Sequence, residues 1–184
     1  MSDEIKGTCV KSVLGFLSRE GLLQSSMTGI SSPSREVLGS HLLATNWYPV
    51  GAYIELLDHV ANRPGRGGEE LMLRIGKQIV TDGLSTVYKV FLPVESPSMA
   101  VARGRFLWRS YFKGSELRLL NADRGVADYE VYGEAHTSPA YCTTKLGGMI
   151  GSLELIGARR VTGEHTHCIC RGNGSCRFRL TWEE

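Results

Sequence analysis

The sequence of 184 residues contains no apolar run that approaches the ~18 residues of a membrane span. It also lacks an excess of charge, because 21 Lys and Arg residues are balanced by 19 Asp and Glu residues and the arginines are scattered. Such a distribution disfavours binding to the phosphate backbone of nucleic acids. We therefore expect a cytosolic (cytoplasmic) protein with no membrane span and no nucleic-acid partner.

Signatures of the common catalytic sites are also missing. The chain has no Gly-x-Ser-x-Gly elbow, no His-Glu-x-x-His helix and no dinucleotide fingerprint. Its glycine-rich segment, Pro64 to Gly68, lacks the Lys-Ser/Thr ending of a P-loop, which favours a connector between helices over a phosphate site. The sequence thus predicts a protein that is not an enzyme, although an accessory reductase role stays open.

Cysteine is scarce and unevenly placed: three of the five cysteines, Cys168, Cys170 and Cys176, fall within nine residues. The number is odd and cytosolic thiols are usually reduced, so metal binding or simple burial is favoured over a disulfide framework. A chain of this length buries ~70% of the surface of its unfolded form and folds without a staple. Any metal would therefore be added to an existing core.

The segment around these cysteines has the pattern of a β-hairpin. The sequence Gly-Asn-Gly-Ser at 172–175 is a turn signal, and it predicts strands at about 161–170 and 176–182. Because side chains of a strand repeat with a period of two, one apolar face is shared by alternate residues of the second strand. These residues are Cys176, Phe178, Leu180 and Trp182.

A helix is predicted before this hairpin, from Pro139 to Ile156, with Ser138 as its cap. Cys142 lies on the apolar stripe of this helix. The apolar faces of helix and hairpin should meet in the core. We therefore expect Cys142 to approach Cys176 and Cys168.

The rest of the chain reads as helices followed by a hairpin. Helical spacing predicts helices at about 5–19, 35–43, from Trp47 to the loop at 64–68, 69–80 and from Ser96 onward. The sequence also predicts a loop at 25–34, an apolar turn at 87–92 and two strands between 116 and 131. Helices grouped before antiparallel strands indicate the α+β class. We predict a single domain, 1–184, with a helical part of about 5–113 and a hairpin–helix–hairpin part of about 116–184.

The segment from Ser138 to Trp182 resembles the 4-vinyl-reductase domain family, whose last hairpin carries a cysteine, a glycine four residues on and a second cysteine eight residues on. Here these are Cys168, Gly172 and Cys176. Three further stretches resemble an uncharacterised group of myxobacterial proteins related to this domain. They are Trp47 to Pro49, Phe106 to Phe112 and Leu155 to Arg159.

In phenol-sensing regulators of this family, a zinc ion is held by a helix cysteine, an acidic residue and the two hairpin cysteines. The resemblance implies zinc ligands at Cys142, Cys168 and Cys176, with His165 in place of the acidic residue, and histidine is a legitimate zinc ligand. The predicted register puts His165 on the opposite strand face, so a strand edge or a bulge would be needed to bring it to the metal. The alternative fourth ligands are Glu164, His167 and Cys170.

We therefore predict a structural zinc, although burial of the cysteines as small apolar side chains is the competing interpretation. The resemblance also implies a fold shared with the Bet-type subunits of the TRAPP vesicle-tethering complex and with haem-NO-binding domains. In that fold, helices pack on one side of a small twisted antiparallel sheet.

Relatives with this fold sense small aromatic effectors, assist a reduction or act as assembly subunits. We predict a non-enzymatic regulatory or sensory domain that binds a small, mostly apolar molecule between helices and sheet. The candidate ligand-binding residues are Trp47, Trp108, Tyr111 and Phe112. The alternative is an interaction or scaffolding subunit, and with either function we expect a homodimer and a separate, unidentified protein partner.

Overall fold

The computed structural model describes residues 3–65, 68–85 and 96–183. For residues 84 and 85 it describes only the backbone. The predicted apolar turn at 87–92 and part of the predicted connector at 64–68 lie outside the described residues. Helices pack beside antiparallel sheets, so the predicted α+β class is confirmed. Among the described helices, none combines the length and the apolar character that crossing a membrane requires. The cytosolic location stays a prediction.

The first half of the chain is mostly helical. Its elements are β1 (Glu4–Lys6), α1 (Gly7–Arg19), α2 (Leu23–Gly29), α3 (Ser32–Gly39), β2 (Trp47–Pro49), α4 (Val50–Ala61) and α5 (Glu69–Ser85). The apolar sides of α1, α4 and α5 form one buried core, with Val13, Leu57 and Ile75 at its centre. Removal of such side chains from water is the main force that holds these helices together.

A small sheet in this half was not predicted. Strand β1 pairs antiparallel with β2 and with β3 (Phe112–Lys113), in the order β2-β1-β3. The opening helix therefore begins at Gly7 rather than Ile5, and Trp47 begins a strand rather than a helix. Each of these strands has only two or three residues, which is too short for a period of two to be recognised in the sequence.

The predicted loop at 25–34 is also wrong, because this segment contains most of α2 and the start of α3. The hydroxyl of Ser31 accepts a hydrogen bond from the backbone N–H of Ser34 and so caps α3. Pro33 fits the first turn of that helix. Serine and proline act here as helix-start signals, although their abundance resembles that of a loop.

The second half contains the larger sheet and two helices. Its elements are α6 (Pro97–Tyr111), β3, β4 (Glu116–Asp123), β5 (Val126–Tyr132), α7 (Pro139–Leu155), β6 (Arg159–His167), a 3₁₀ turn (Ile169–Arg171) and β7 (Cys176–Glu183). The four longer strands form an antiparallel sheet in the order β4-β5-β7-β6. The predicted alternation of β7 is confirmed, because its residues from Cys176 to Trp182 are buried at every second position.

Helices α5 and α7 pack with their backbones in contact. A Cβ atom added to Gly147 would overlap the carbonyl oxygen of Leu73, and one added to Gly76 would overlap the carbonyl oxygen of Thr144. A Cβ added to Gly148, in contrast, would meet the nearest atoms at 3.6 Å, an ordinary contact distance. Glycine is therefore required at 76 and 147 and is optional at 148.

Candidate functional site

Four potential metal-ligating side chains meet between α7 and the larger sheet. They are Cys142, His165, Cys168 and Cys176, and their ligand atoms all lie within 4.8 Å of one another. The three cysteines are buried and His165 is half-buried. The Sγ atoms of Cys142 and Cys176 are 3.7 Å apart. We call these four residues the thiol cluster.

Two elements bring the cysteines together. Ser138 caps α7 by accepting a hydrogen bond from the backbone N–H of Tyr141, and Cys142 follows in the first turn. Cys176 opens β7 on the face that packs against α7. Cys168 lies just after β6, where the side chain of Asn173 accepts a hydrogen bond from its backbone N–H. The expected approach of Cys142 to Cys176 and Cys168 is therefore present in the fold.

The connection between β6 and β7 is longer than the turn predicted between strands at 161–170 and 176–182. Strand β6 ends at His167, a 3₁₀ turn follows, and Gly172 takes the left-handed conformation with φ of 85°. Cys170 lies in this 3₁₀ turn and is exposed. It therefore does not continue the strand from Cys168, contrary to the predicted register, and it is not among the clustered residues.

His165 reaches the cluster because of an irregularity in the sheet. It pairs opposite Phe178, on the buried face, and the register shifts between His165 and His167. The two rings stack with centroids 4.5 Å apart. The predicted register, which puts His165 on the opposite strand face, is wrong, because His165 pairs with the buried Phe178 and the register shift separates it from His167. This shift is the kind of bulge that sequence reasoning required.

The Nε2 atom of His165 is buried and has no hydrogen-bond partner in the described part of the chain. Burial lowers the pKa of the imidazole, so the ring is neutral at pH 7 and can offer a nitrogen lone pair. The other candidates for a fourth ligand, Glu164 and His167, are exposed. An unpartnered imidazole nitrogen beside three thiols is an arrangement suited to a soft metal ion.

The thiols of the cluster are not equivalent. The hydrogen bond between Cys142 and Cys176 raises the pKa of Cys142, and burial raises it further. The same bond lowers the pKa of Cys176. Cys176 is therefore the thiol of this pair that ionises first.

A cavity of about 140 Å³ lies beside the cluster, on another side of α7. Its walls are supplied mainly by α5, α6 and α7, with Leu117, Tyr129 and Leu180 from the sheet. The lining is mostly apolar and aromatic. Arg103 belongs to the lining and is exposed, so this part of the wall reaches the molecular surface.

Three of the four predicted ligand-binding residues line this cavity: Trp108, Tyr111 and Phe112. The rings of Trp108 and Phe112 lie 4.2 Å apart. Trp47 is not among the described lining residues of this cavity, so its part in ligand binding stays a prediction. Strand β2 places Trp47 on the small sheet, where the ammonium groups of Lys6 and Lys113 lie 4.3 and 4.4 Å from the centroid of its ring.

A buried ion pair joins the cavity region to the cluster. The Nζ atom of Lys145 donates to both carboxylate oxygens of Glu134, at 2.7 and 2.8 Å, and their side chains are 1% and 3% exposed. Lys145 lines the cavity and lies one turn after Cys142 on α7. Sequence reasoning missed this pair, because nothing in the local pattern marks a lysine or a glutamate as buried.

No protein-family profile and no curated protein match the sequence. Solved structures do match over nearly the whole chain. An H-NOX protein from S. oneidensis in the Fe(II)NO state has a TM-score of 0.72 and 12% identity, with 98% of this chain and 100% of that chain covered. The Fe(II) unliganded H-NOX protein from K. algicida has a TM-score of 0.70 and 12% identity, with 98% and 97% covered.

An oxygen-binding H-NOX domain related to soluble guanylate cyclases is also similar, with a TM-score of 0.65 and 12% identity over 97% of this chain and 93% of that chain. These likenesses show the fold, so the predicted similarity to haem-NO-binding domains is confirmed at that level. Membership of the 4-vinyl-reductase family is not shown and stays a prediction.

The predicted cofactor, a structural zinc, is wrong in the light of these neighbours. The matched structures are described by their Fe(II) states or by haem rather than by zinc. The thiol cluster remains a set of residues that could hold a metal ion of unassigned identity.

The described residues of this chain do not fit a haem. A cavity of about 140 Å³ resembles the ~150 Å³ of an engineered benzene-binding cavity and is smaller than the ~300–1,000 Å³ of larger ligand pockets. No histidine occurs among the lining residues that the structure describes.

Proposed function

We propose that this chain is a non-enzymatic sensory domain that binds a small, mostly apolar molecule in the cavity between α5, α6 and α7. The observation that carries this proposal is the cavity itself. Close packing normally leaves few voids larger than a water molecule in a protein interior. An apolar space of about 140 Å³ beside aromatic side chains is therefore a candidate binding site for a molecule of about one ring.

The predicted aromatic residues would make the main contacts. Trp108, Tyr111 and Phe112 come from the end of α6 and from β3, where the larger sheet, the small sheet and the helices meet. A ligand there would fill space between α6 and α7 and so favour one arrangement of these helices. The solved neighbours are described as binding small molecules in this fold, which supports a sensory function for this chain.

Thermal unfolding in the presence of benzene, toluene, phenol and indole tests the proposal. A ligand that binds only the folded protein stabilises it by about 2.7 kcal/mol at 100 times its dissociation constant. We expect a concentration-dependent rise of the melting temperature with at least one of these compounds. Absence of any rise with all four, at concentrations near their solubility, would contradict ligand binding at the cavity.

Gly148 provides a matched pair of variants for this test. It lines the cavity, and a Cβ atom there makes only ordinary contacts. Gly148→Leu should fill the space and abolish the ligand-dependent shift, whereas Gly148→Ala should keep most of it. Equal shifts in both variants would place the ligand elsewhere.

We also propose that Cys142, His165, Cys168 and Cys176 bind a metal ion, supported by their separation and by the unpartnered Nε2 of His165. Titration of the reduced protein with cobalt(II) tests this, because thiolate ligands give an intense absorption in the near ultraviolet. We expect saturation at one ion per chain. Cys176→Ser should weaken the absorption, and Cys170→Ser, at an exposed thiol, should leave it unchanged.

A second candidate function is that of an interaction subunit, with a homodimer or a separate protein partner. Exposed apolar side chains on α6 and on the edge strand β4 favour it. They are Met99, Phe106, Leu119 and Leu120, which are 36–47% exposed. The solution mass tests dimerisation: a dimer that Phe106→Glu dissociates would support this candidate, and a monomer at high concentration would contradict it.

A further inference from the structure

Lys145 is the one charged residue of the described cavity lining that is also buried. The other charged residue of that lining, Arg103, is exposed, whereas the side chain of Lys145 is 1% exposed. Burying an ammonium group is costly unless it is paired, and Glu134 supplies the partner. A buried cation on the wall of an apolar cavity is the feature best suited to orienting a ligand, because such sites use few polar groups for specificity.

The hydrogen bonds of Lys145 leave one donor available. An ammonium group has three N–H donors, and two of them are directed to the carboxylate oxygens of Glu134. In the described part of the chain, the third has no oxygen or nitrogen acceptor. Its neighbour is the ring of Tyr141, whose centroid is 4.3 Å from Nζ and which also lines the cavity.

Three other polar side chains of the lining have their protons engaged with protein atoms. The hydroxyl of Thr144 donates to the carbonyl oxygen of Ala140 at 2.9 Å. The hydroxyl of Tyr129 donates to the carbonyl oxygen of Val101, also at 2.9 Å, and the indole N–H of Trp108 donates to Ser115. Lys145 differs from these groups because its third N–H has no oxygen or nitrogen acceptor in the described part of the chain.

We propose that Lys145 selects ligands of about one ring that carry a single uncharged hydrogen-bond acceptor, such as a carbonyl oxygen. This inference rests on the proposed function, because it assigns the ligand of the same cavity. The acceptor is uncharged because Glu134 already neutralises the ammonium group. A carboxylate on the ligand would be repelled by the carboxylate of Glu134.

The experiment compares two probes of nearly equal shape, acetophenone and α-methylstyrene, which differ by a carbonyl oxygen in place of a methylene group. Their dissociation constants are measured by titration calorimetry with the full chain. A hydrogen bond from a charged donor makes a tenfold or larger difference in affinity. We expect acetophenone to bind about tenfold more tightly than α-methylstyrene.

The variant Lys145→Met with Glu134→Gln removes both charges together, so that neither is left buried alone. We expect its preference for acetophenone to fall to about one, with the affinity for α-methylstyrene unchanged within about twofold. The control is Lys77→Met with Glu154→Gln, which makes the same changes in an exposed ion pair on α5 and α7 outside the described lining. It should keep the tenfold preference.

A spectroscopic measurement on the unmutated protein covers the case in which the double variant does not fold. The carbonyl stretching frequency of ¹³C-labelled acetophenone should be lower in the complex than in cyclohexane, because a hydrogen bond from an ammonium group weakens the C=O bond. An unshifted band would overturn the assignment to Lys145.

The outcomes separate this inference from the proposed function. Equal affinities of the unmutated protein for the two probes would overturn the role of Lys145 and leave ligand binding in the cavity intact. Retention of the tenfold preference in the double variant would do the same. If neither probe binds, this inference fails, and the proposed function is then decided by the thermal test with benzene, toluene, phenol and indole.

Discussion

The cavity and the thiol cluster lie on neighbouring sides of α7 and are built in opposite ways. The cluster crowds four potential ligand atoms within 4.8 Å and holds them in a closed core. The cavity has space of about 140 Å³ and only a few polar groups. Removing one ligand atom should therefore impair the thiol cluster, whereas adding an atom to the lining should impair the cavity. Lys145 lies between them and belongs to both surroundings.

The largest expected effect concerns this connection. Lys145→Met should lower the free energy of unfolding by about 3–5 kcal/mol, because it leaves the carboxylate of Glu134 buried without a partner. Addition of Glu134→Gln should restore most of the loss. Urea denaturation measures both. If the single variant is as stable as the unmutated chain, the pair is hydrated and does not join the two regions.

The next largest effect compares two neighbouring glycines of α7, of which Gly147 packs against α5 and Gly148 has space for a side chain. Gly147→Ala places a Cβ atom against the carbonyl oxygen of Leu73. Overpacking of a core lowers the free energy of unfolding by ~1–3 kcal/mol, and we expect a decrease toward the upper end of this range. Gly148→Ala should be neutral or stabilising by up to ~1 kcal/mol, since alanine favours a helix. Similar losses in both variants would show that α5 and α7 adjust their separation freely.

In the thiol cluster, Cys176→Ser should lower the free energy of unfolding of the reduced, metal-free protein by about 1–2 kcal/mol. The reason is that burying a hydroxyl is less favourable than burying a thiol. Cys170→Ser is the control, since its thiol is exposed and surface substitutions usually stay within ~0.5 kcal/mol. Thermal unfolding with a chelator and a reductant measures both. Equal effects would contradict the closed surroundings of Cys176.

The smallest effect lies on the outer face of the sheet, away from both sites. The hydrogen bond from Arg179 lowers the pKa of Asp128 below its ordinary value near 3.8. A lowered pKa stabilises the fold at pH above about 4, and this contribution disappears as the pH falls through the lowered value. The Asp128→Asn variant should therefore be less stable than the unmutated protein at pH 6, and this difference in stability should vanish near pH 2. An unchanged difference in acid would contradict the ion pair.

The two regions also differ in how far they could be predicted. Cys142 follows from a helix stripe, Cys176 from the alternation of β7, and Cys168 from the predicted hairpin. His165 required a bulge that the sequence does not reveal, because the register shift depends on how β6 pairs with β7. The aromatic residues of α6 were recognised as a stripe, but Trp47 was assigned to the same cavity although the small sheet holds it elsewhere.

The sequence by itself determined the α+β class, α7, the two hairpins of the larger sheet and the approach of Cys142 to Cys176 and Cys168. These features arise from local periodicity, which any stretch of chain carries with it. The tertiary structure alone decided the small sheet, the burial of Lys145 with Glu134 and the existence of the cavity. These depend on which distant segments meet and on the volume they leave unfilled, and no local pattern records either quantity.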